Sequence, residues 1–316
     1  MPDRDPARRR PVQVGLLLPH LEGSYLGGTA RWADLAALAI AAEDAGFDSL
    51  WLADHLLYRF PDTPQLGVTE CWSLMAALAA VTRRVELGTL VTVTPWRNPA
   101  MFAKAVDAVE EISGGRVILG LGAGSHGPEF PAFGYDSWEH RVSRFEEEIG
   151  IIHTLLRTGR IDHQGRFHTI RDCELRPRGP RPEGPPIMVG ALRPRMLRLV
   201  AAYADEWNIP WRQSVEELAE VSPRGDEACA AAGRDPATLR RSAALQVDLP
   251  DVASHPGSEL YRSGRGRAIR GEPTQVAETL RGYAAAGVSH IQVWLDPSSV
   301  AGIEWFADVL ADLDRG

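Results

Sequence analysis

Short apolar runs alternate along the chain with longer stretches whose apolar residues recur at helical spacing. Val12–Pro19 is a buried-type run, and Arg31–Ala45 is rich in Ala and Leu with a helical period that stops at Gly46. Phe47–Ala53 predicts the next strand, Glu70–Thr82 a helix, and Val85–Val93 a β-branched strand. Asn98-Pro99 reads as an N-cap followed by proline at the first helical position, which opens a helix over Pro99–Ile112. Gly114-Gly115 turns the chain into a strand at Val117–Leu121.

The spacing then widens. Trp138–Arg157 predicts a long helix, and residues 158–184 read as an inserted loop or small hairpin. Pro186–Val189, Asp205–Ile209, Ser242–Leu249 and Val288–Leu295 continue the strands. Arg195–Tyr203, Val215–Ala232 (interrupted at Pro223–Gly225), Thr274–Ala286 and Val300–Leu313 continue the helices, with a polar loop over 250–272. Eight strands alternating with about eight helices imply parallel strands and helical crossovers. An even alternation of this kind favours a closed (β/α)8 TIM barrel with insertions over a doubly wound sheet. No break in composition divides residues 12–316, which read as one domain behind a disordered tail over 1–11.

In such a barrel the chemistry sits on loops that leave the carboxyl ends of the strands. His20 follows the first predicted strand, Asp54 and His55 the second, and Thr92, Thr94, Trp96 and Arg97 the third. The fourth strand is followed by Gly122-Ala-Gly124-Ser-His-Gly127 and then Glu129. The fifth leads into Gly190 to Arg195, the sixth into Asn208, Trp211 and Arg212, and the last into Trp294 and Asp296. The glycine run matches GxGxxG, but Pro128 and Pro131 follow at once, so no helix opens directly on the third glycine as a dinucleotide site requires. The glycines let the backbone approach a flat ring closely, or they pack a tight rim. An imidazole at His55 can give or take a proton, with Asp54 orienting it or serving elsewhere; otherwise it is a rim histidine capping the next segment. His163 and His168, inside the insertion, read as surface residues. His20, His55 and Asp54 have no zinc spacing. Gly190 to Arg198 offers a helix N-terminus with arginines nearby, suited to a phosphate or simply solvated. Arg262, Arg265, Arg267 and Arg270 crowd one loop that is either solvated or meets an anionic ligand tail. Trp96, Trp138, Trp211 and Trp294 hint at an apolar or aromatic substrate, or at rim packing.

Composition narrows the classes. Among 316 residues, 34 Lys+Arg and 42 Asp+Glu give a formal charge of −8, which argues against a general binder of nucleic acid or acidic membrane. The three cysteines lie far apart with no CxxC pattern, so neither a disulfide framework nor a structural zinc is expected. No apolar stretch is long enough to span a bilayer and no secretory signal is legible, so a cytoplasmic protein is expected.

Several segments carry a resemblance to a known family. They are Glu70–Thr92, Arg97–Lys104, Ala42–His55, Tyr203–Asn208 and, most specifically, Ile112-Ser-Gly-Gly-Arg-Val-Ile-Leu-Gly-Leu-Gly-Ala-Gly124. From about residue 12 to residue 210 the chain resembles the luciferase-like monooxygenase superfamily. The stretch Val91 to Pro99 looks most like its branch dependent on the deazaflavin coenzyme F420. The resemblance implies a barrel that binds a flavin or F420 at its carboxyl face. It further implies a non-proline cis peptide at Leu90–Val91, ring-side positions at Asp54 and His55, backbone contacts at Ala123, Gly124 and Ser125, and a phosphate-side loop from Gly190 through Ala191 and Leu192 to Arg193. The F420-dependent sugar-phosphate dehydrogenases carry a catalytic glutamate where Ser125 stands, and their tryptophan after the histidine is missing here, so sugar-phosphate oxidation is not expected. Glu129 could supply a carboxylate.

The expected function is therefore hydride transfer between F420 and a small organic substrate. His55 and Asp54 are the catalytic candidates. His20, Leu90, Val91, Thr92, Ala123, Gly124, Ser125, Glu129 and Gly190 to Arg193 are the cofactor-binding candidates, and no metal is expected. The alternatives are an FMN-dependent monooxygenase fed with reduced FMN by a partner reductase, and a non-catalytic flavin-binding protein. The resemblance also implies a homodimer.

Overall fold

A computed structural model describes residues 10–62, 64–250 and 268–315. Eight parallel strands close into a barrel in the order β1 (Gln13–Leu17), β2 (Ser49–Leu52), β5 (Glu86–Thr89), β7 (Val117–Gly122), β10 (Ile187–Gly190), β11 (Glu206–Pro210), β12 (Arg240–Asp248) and β13 (His290–Asp296), which returns to β1. The helices α1 (Trp32–Ala45), α2 (Cys71–Val81), α3 (Pro99–Ser113), α5 (Arg141–Thr158), α6 (Pro194–Tyr203), α7 (Val215–Ala231), α8 (Pro273–Ala285) and α9 (Val300–Arg315) cover it. The fold is the (β/α)8 barrel that the alternation implies. The hairpin β3 (Leu57–Tyr58) and β4 (Leu66–Gly67) follows β2, and the single turn α4 (Glu129–Ala132) follows β7. The 158–184 insertion carries the hairpin β8 (Arg160–Gln164) and β9 (Thr169–Glu174).

Local sequence accounts for most boundaries. Glu70 accepts from Trp72 N and Ser73 N at the start of α2, and Asn98 accepts from Ala100 N and Met101 N at the start of α3. Gly46, Gly114 and Gly159 end their helices in the left-handed conformation. Arg116 in the Ser-Gly-Gly-Arg turn is buried, and its five N–H groups reach the oxygens of Ser113, Ala79, Thr82 and Val85, which pins the end of α2 to the start of β5.

Inside the barrel, Trp51 lies between Gly15 and Gly88, where a Cβ would stand 2.3 Å from the indole. Its Nε1 donates to Ser49 Oγ at 2.7 Å, and Ser49 Oγ also lies 2.7 Å from His290 Nε2. One apolar core fills the space between strands and helices, while Leu17, Leu21, Trp51, Tyr58, Ile118, Met188 and Trp294 form a second cluster within the barrel and its mouth.

Four details differ from the sequence reading. Arg10, placed in the loose tail, is buried and bonded to Asp314, Asp48 and the carbonyl of Gly46. The third strand breaks into β5 and β6 (Thr92–Val93) around the Leu90–Val91 peptide, which is cis. α7 runs through Pro223 without interruption, and Gly225 gives the Trp207 ring its room. His163 and His168 are half-buried rather than on the surface, because Glu147 and Glu148 of α5 face them at 3.1 and 3.2 Å.

Glu43 holds the α2–β5 turn by accepting from the backbone N–H groups of Arg83, Arg84 and Val85. Burial alone would raise its pKa, but these donors outweigh burial and hold the carboxyl below its ordinary value. A depressed folded-state pKa stabilises above the unfolded value, and that contribution is lost as pH falls through the folded one. Glu43→Gln is thus expected to lower the thermal midpoint at neutral pH. The gap to the parent should shrink as the pH falls below the ordinary carboxylate range, and a gap that stays constant would count against this role.

Candidate active site

The ends of β2, β5 and β7 are neighbours on the barrel rim, and the strongest side-chain constellation spans them. His55 leaves β2, and its Nδ1 lies 2.8 Å from Oε1 of Glu129, which the α4 turn carries beyond β7. Glu129 is fully buried, and its other oxygen accepts from Leu56 N at 2.6 Å and Leu57 N at 3.3 Å. A carboxylate only accepts, so in the neutral ring the proton sits on Nδ1 and Nε2 is the free lone pair. Nε2 has no partner among the described residues, and the His55 side chain is 15% exposed. This is the geometry of an oriented general acid or base.

Aromatic side chains surround the dyad. The Tyr58 ring centroid is 4.5 Å from that of His55, and His126 and Phe60 pack behind Tyr58. His126 Nε2 accepts from Arg59 N at 3.0 Å, which ties the β3–β4 hairpin to the glycine-rich loop. Burial lowers the His126 pKa, against the pull of Glu129 and with the push of His55, so it stays neutral.

Asp54, although adjacent to His55 in sequence, does not orient it. Its two oxygens are engaged by Arg97 at 2.6 and 2.9 Å and by Val93 N at 2.7 Å. That bidentate pair fastens β6 to the end of β2, so the role of orienter passes from Asp54 to Glu129. The Thr92 hydroxyl is engaged as well. Buried, it accepts from Trp72 Nε1 and donates to Thr89 Oγ1, so the side chain belongs to the wall behind the site. His20 is buried with its ring nitrogens facing the carbonyls of Leu18 at 3.0 Å and Ala53 at 2.8 Å. Burial lowers its pKa against the pull of those carbonyls, and the two contacts hold the ring in the rim.

The remaining candidates come together around the cis peptide. Val91 reaches between β7 and β10, where a Cβ on Gly122 would stand 2.6 Å from it and one on Gly190 3.4 Å. Ala123 is buried, Gly124 turns the chain at φ +87°, and Ser125 is exposed beside it. Ala191 N donates to Asn208 O at 3.3 Å, Leu192 is half-buried, and Arg193 is exposed at the start of α6, where no side chain caps the helix. Arg195 is committed to Glu146 at 2.6 Å. Of the arginine-rich loop, Arg262, Arg265 and Arg267 lie outside the described residues, and Arg270 pairs with Asp248 at 2.6 Å.

The model of the luciferase-like monooxygenase family matches residues 12–252. The chain belongs to this family. Among curated members, the 5,10-methylenetetrahydromethanopterin reductase of Archaeoglobus fulgidus is 35% identical over 52% of this chain and 45% of its own. The F420-dependent hydroxymycolic acid dehydrogenase of Mycobacterium tuberculosis is 31% identical over 87% of this chain and 73% of its own. The chain thus spans about half the length of some of the curated relatives it matches. A solved F420-dependent secondary alcohol dehydrogenase, in complex with an F420–acetone adduct, superposes with a TM-score of 0.77 at 20% identity, covering 96% of this chain and 99% of that one. At that identity the likeness bears on the luciferase-like barrel alone.

Sequence reasoning found His55 but not its partnership with Glu129, which stands 74 residues away. It missed His126, which lay inside the glycine motif. It also passed over Gln213, described below. No spacing rule joins His55 to the others, because His55 follows β2, His126 and Glu129 share the crossover after β7, and Gln213 follows β11.

Proposed function

We propose that this luciferase-like barrel is an F420-dependent oxidoreductase. It would transfer a hydride between the coenzyme and a small organic substrate at the carboxyl face. The His55–Glu129 dyad on the same barrel rim as the cis peptide carries this reading, since it places one oriented proton donor and acceptor there. The relatives named for F420 support it.

The residues present fit a flat, anionic coenzyme. Gly122 and Gly190 leave no side chain over Val91, and the uncapped amides that open α6, with Arg193, suit a phosphate. When bound, F420 supplies the hydride at its deazaflavin carbon. His55 would deliver the matching proton from Nε2 to a carbonyl oxygen, or take it from an alcohol in the reverse direction. Glu129 holds the imidazole in one orientation and stabilises its charged form. Trp96 and Phe130 pack behind the rim and exclude water from that side. A homodimer, a separate cofactor reductase and a cytoplasmic location belong to the same proposal; among the described residues no helix is long and apolar enough to cross a membrane.

The test is binding of reduced F420 against reduced FMN, followed by the change in cofactor absorbance and fluorescence. Saturable binding of F420 is expected. Saturable FMN binding without F420 binding would replace the proposal with an FMN-dependent monooxygenase, and binding of neither would exclude both.

A further inference from the structure

We infer that Gln213 donates a hydrogen bond through its side-chain Nε2 to an oxygen of the organic substrate, which lies against Trp211 and Trp294. The inference deepens the oxidoreductase reading and rests on it for the reaction, although not for the binding.

The neighbouring strands β11 and β12 differ in length. β11 ends at Pro210, in register with Ala244, whereas β12 continues to Asp248. Trp211 N still reaches Ala244 O at 2.9 Å. The N–H of Gln246 then finds no strand beside it, and Gln213 Oε1 accepts from it at 3.2 Å. A backbone N–H can only donate, so the oxygen of the Gln213 amide must face it. The orientation of the amide is thereby settled, and Nε2 points elsewhere.

Nε2 is buried and has no hydrogen-bond partner among the described residues, and Gln213 as a whole is 9% exposed. Its backbone is held too. Gln213 N donates to Glu217 Oε2 at 3.0 Å, while Ser214 caps α7 by accepting from Glu217 N at 3.2 Å. A rigid, buried, unpartnered NH2 group at the carboxyl rim of a barrel is a donor awaiting an acceptor.

The surroundings define the class of acceptor. Trp211 sits in the left-handed region at φ +56°, unusual for so large a residue, and its ring lies 6.4 Å from that of Trp294. Both rings pack in the apolar cluster that holds Tyr58 and Val91, and Tyr58 is the ring against His55. Asp248, which accepts from Gln246, is itself bonded to Arg270. A neutral donor two residues from Trp211, whose ring meets that of Trp294, fits an aromatic or alicyclic carbonyl compound.

Gln213→Glu discriminates, because it keeps an oxygen for Gln246 N and replaces the donor with an acceptor. Tryptophan fluorescence of the full chain, with and without F420, is titrated with acetophenone and with α-methylbenzylammonium at mildly alkaline pH. The parent is expected to bind acetophenone saturably. Gln213→Glu is expected to bind it about tenfold more weakly and to gain affinity for the ammonium probe. Independently of any variant, the side-chain amide NMR resonances of Gln213 in the parent should shift with acetophenone and not with ethylbenzene, which lacks the oxygen. Equal loss for both probes, unchanged acetophenone affinity, an unmoved amide resonance or no saturable binding by the parent overturns the inference. Acetophenone binding that survives where F420 binding fails overturns the proposed function and leaves Gln213 in place.

Discussion

His55→Ala is expected to slow substrate reduction by bound, reduced F420 by about two to four orders of magnitude, the usual contribution of a positioned acid or base. F420 affinity should change far less, because the change removes a proton carrier and leaves the backbone around Val91 intact. Glu129→Gln separates orientation from presence. The Gln oxygen can still accept from Leu56 N, which turns its NH2 toward His55 Nδ1. Nδ1 must then accept, the proton moves to Nε2, and the tautomer inverts. A large loss of rate with a near-normal melting temperature is therefore expected for Glu129→Gln. Single-turnover kinetics and a thermal melt read the two quantities separately. Rates like the parent's in both variants would remove the dyad from the reaction.

The largest effect on stability is expected at Asp54, which has no exposed surface on its side chain and holds Arg97 in two hydrogen bonds. Asp54→Ala leaves a mostly buried guanidinium without its counter-charge and Val93 N without its acceptor. Breaking such a pair from one side costs about 3–5 kcal/mol. The double change Asp54→Ala with Arg97→Met should recover part of that loss, because it removes the stranded charge. Guanidinium denaturation of the two single variants and the double variant closes the cycle. Strictly additive losses would mean that the two side chains do not act as a pair.

These two residues also show how far the sequence reaches. Asp54 and His55 are consecutive, and their adjacency invites a dyad. Successive side chains in extended backbone leave on opposite sides, so one turns into the wall toward Arg97 and the other toward the mouth. The partner of His55 had to come from another crossover. Glu129 arrives there because a single helical turn opens just beyond the glycine run, where Pro128 and Pro131 argue against a helix. That turn is short enough for both prolines to be tolerated, Pro128 before it and Pro131 within it. The Thr92 hydroxyl turns into the wall for a related reason. The position of Thr92 at a strand end was legible, but the direction of its hydroxyl was set by Trp72 of the preceding helix.

By itself, the sequence determined the alternation of eight strands and helices, the N-cap at Asn98, the stop at Gly46 and the shortlist of residues on the carboxyl face. Those follow from periodicity and from backbone chemistry that is local to a few residues. Only the tertiary structure decided which shortlisted groups meet. Barrel closure brings the ends of β2, β5 and β7 side by side, and the unequal lengths of β11 and β12 leave Gln246 N to be answered by Gln213. Contacts of that kind depend on register and on the direction of each side chain, and neither is encoded in the spacing along the chain.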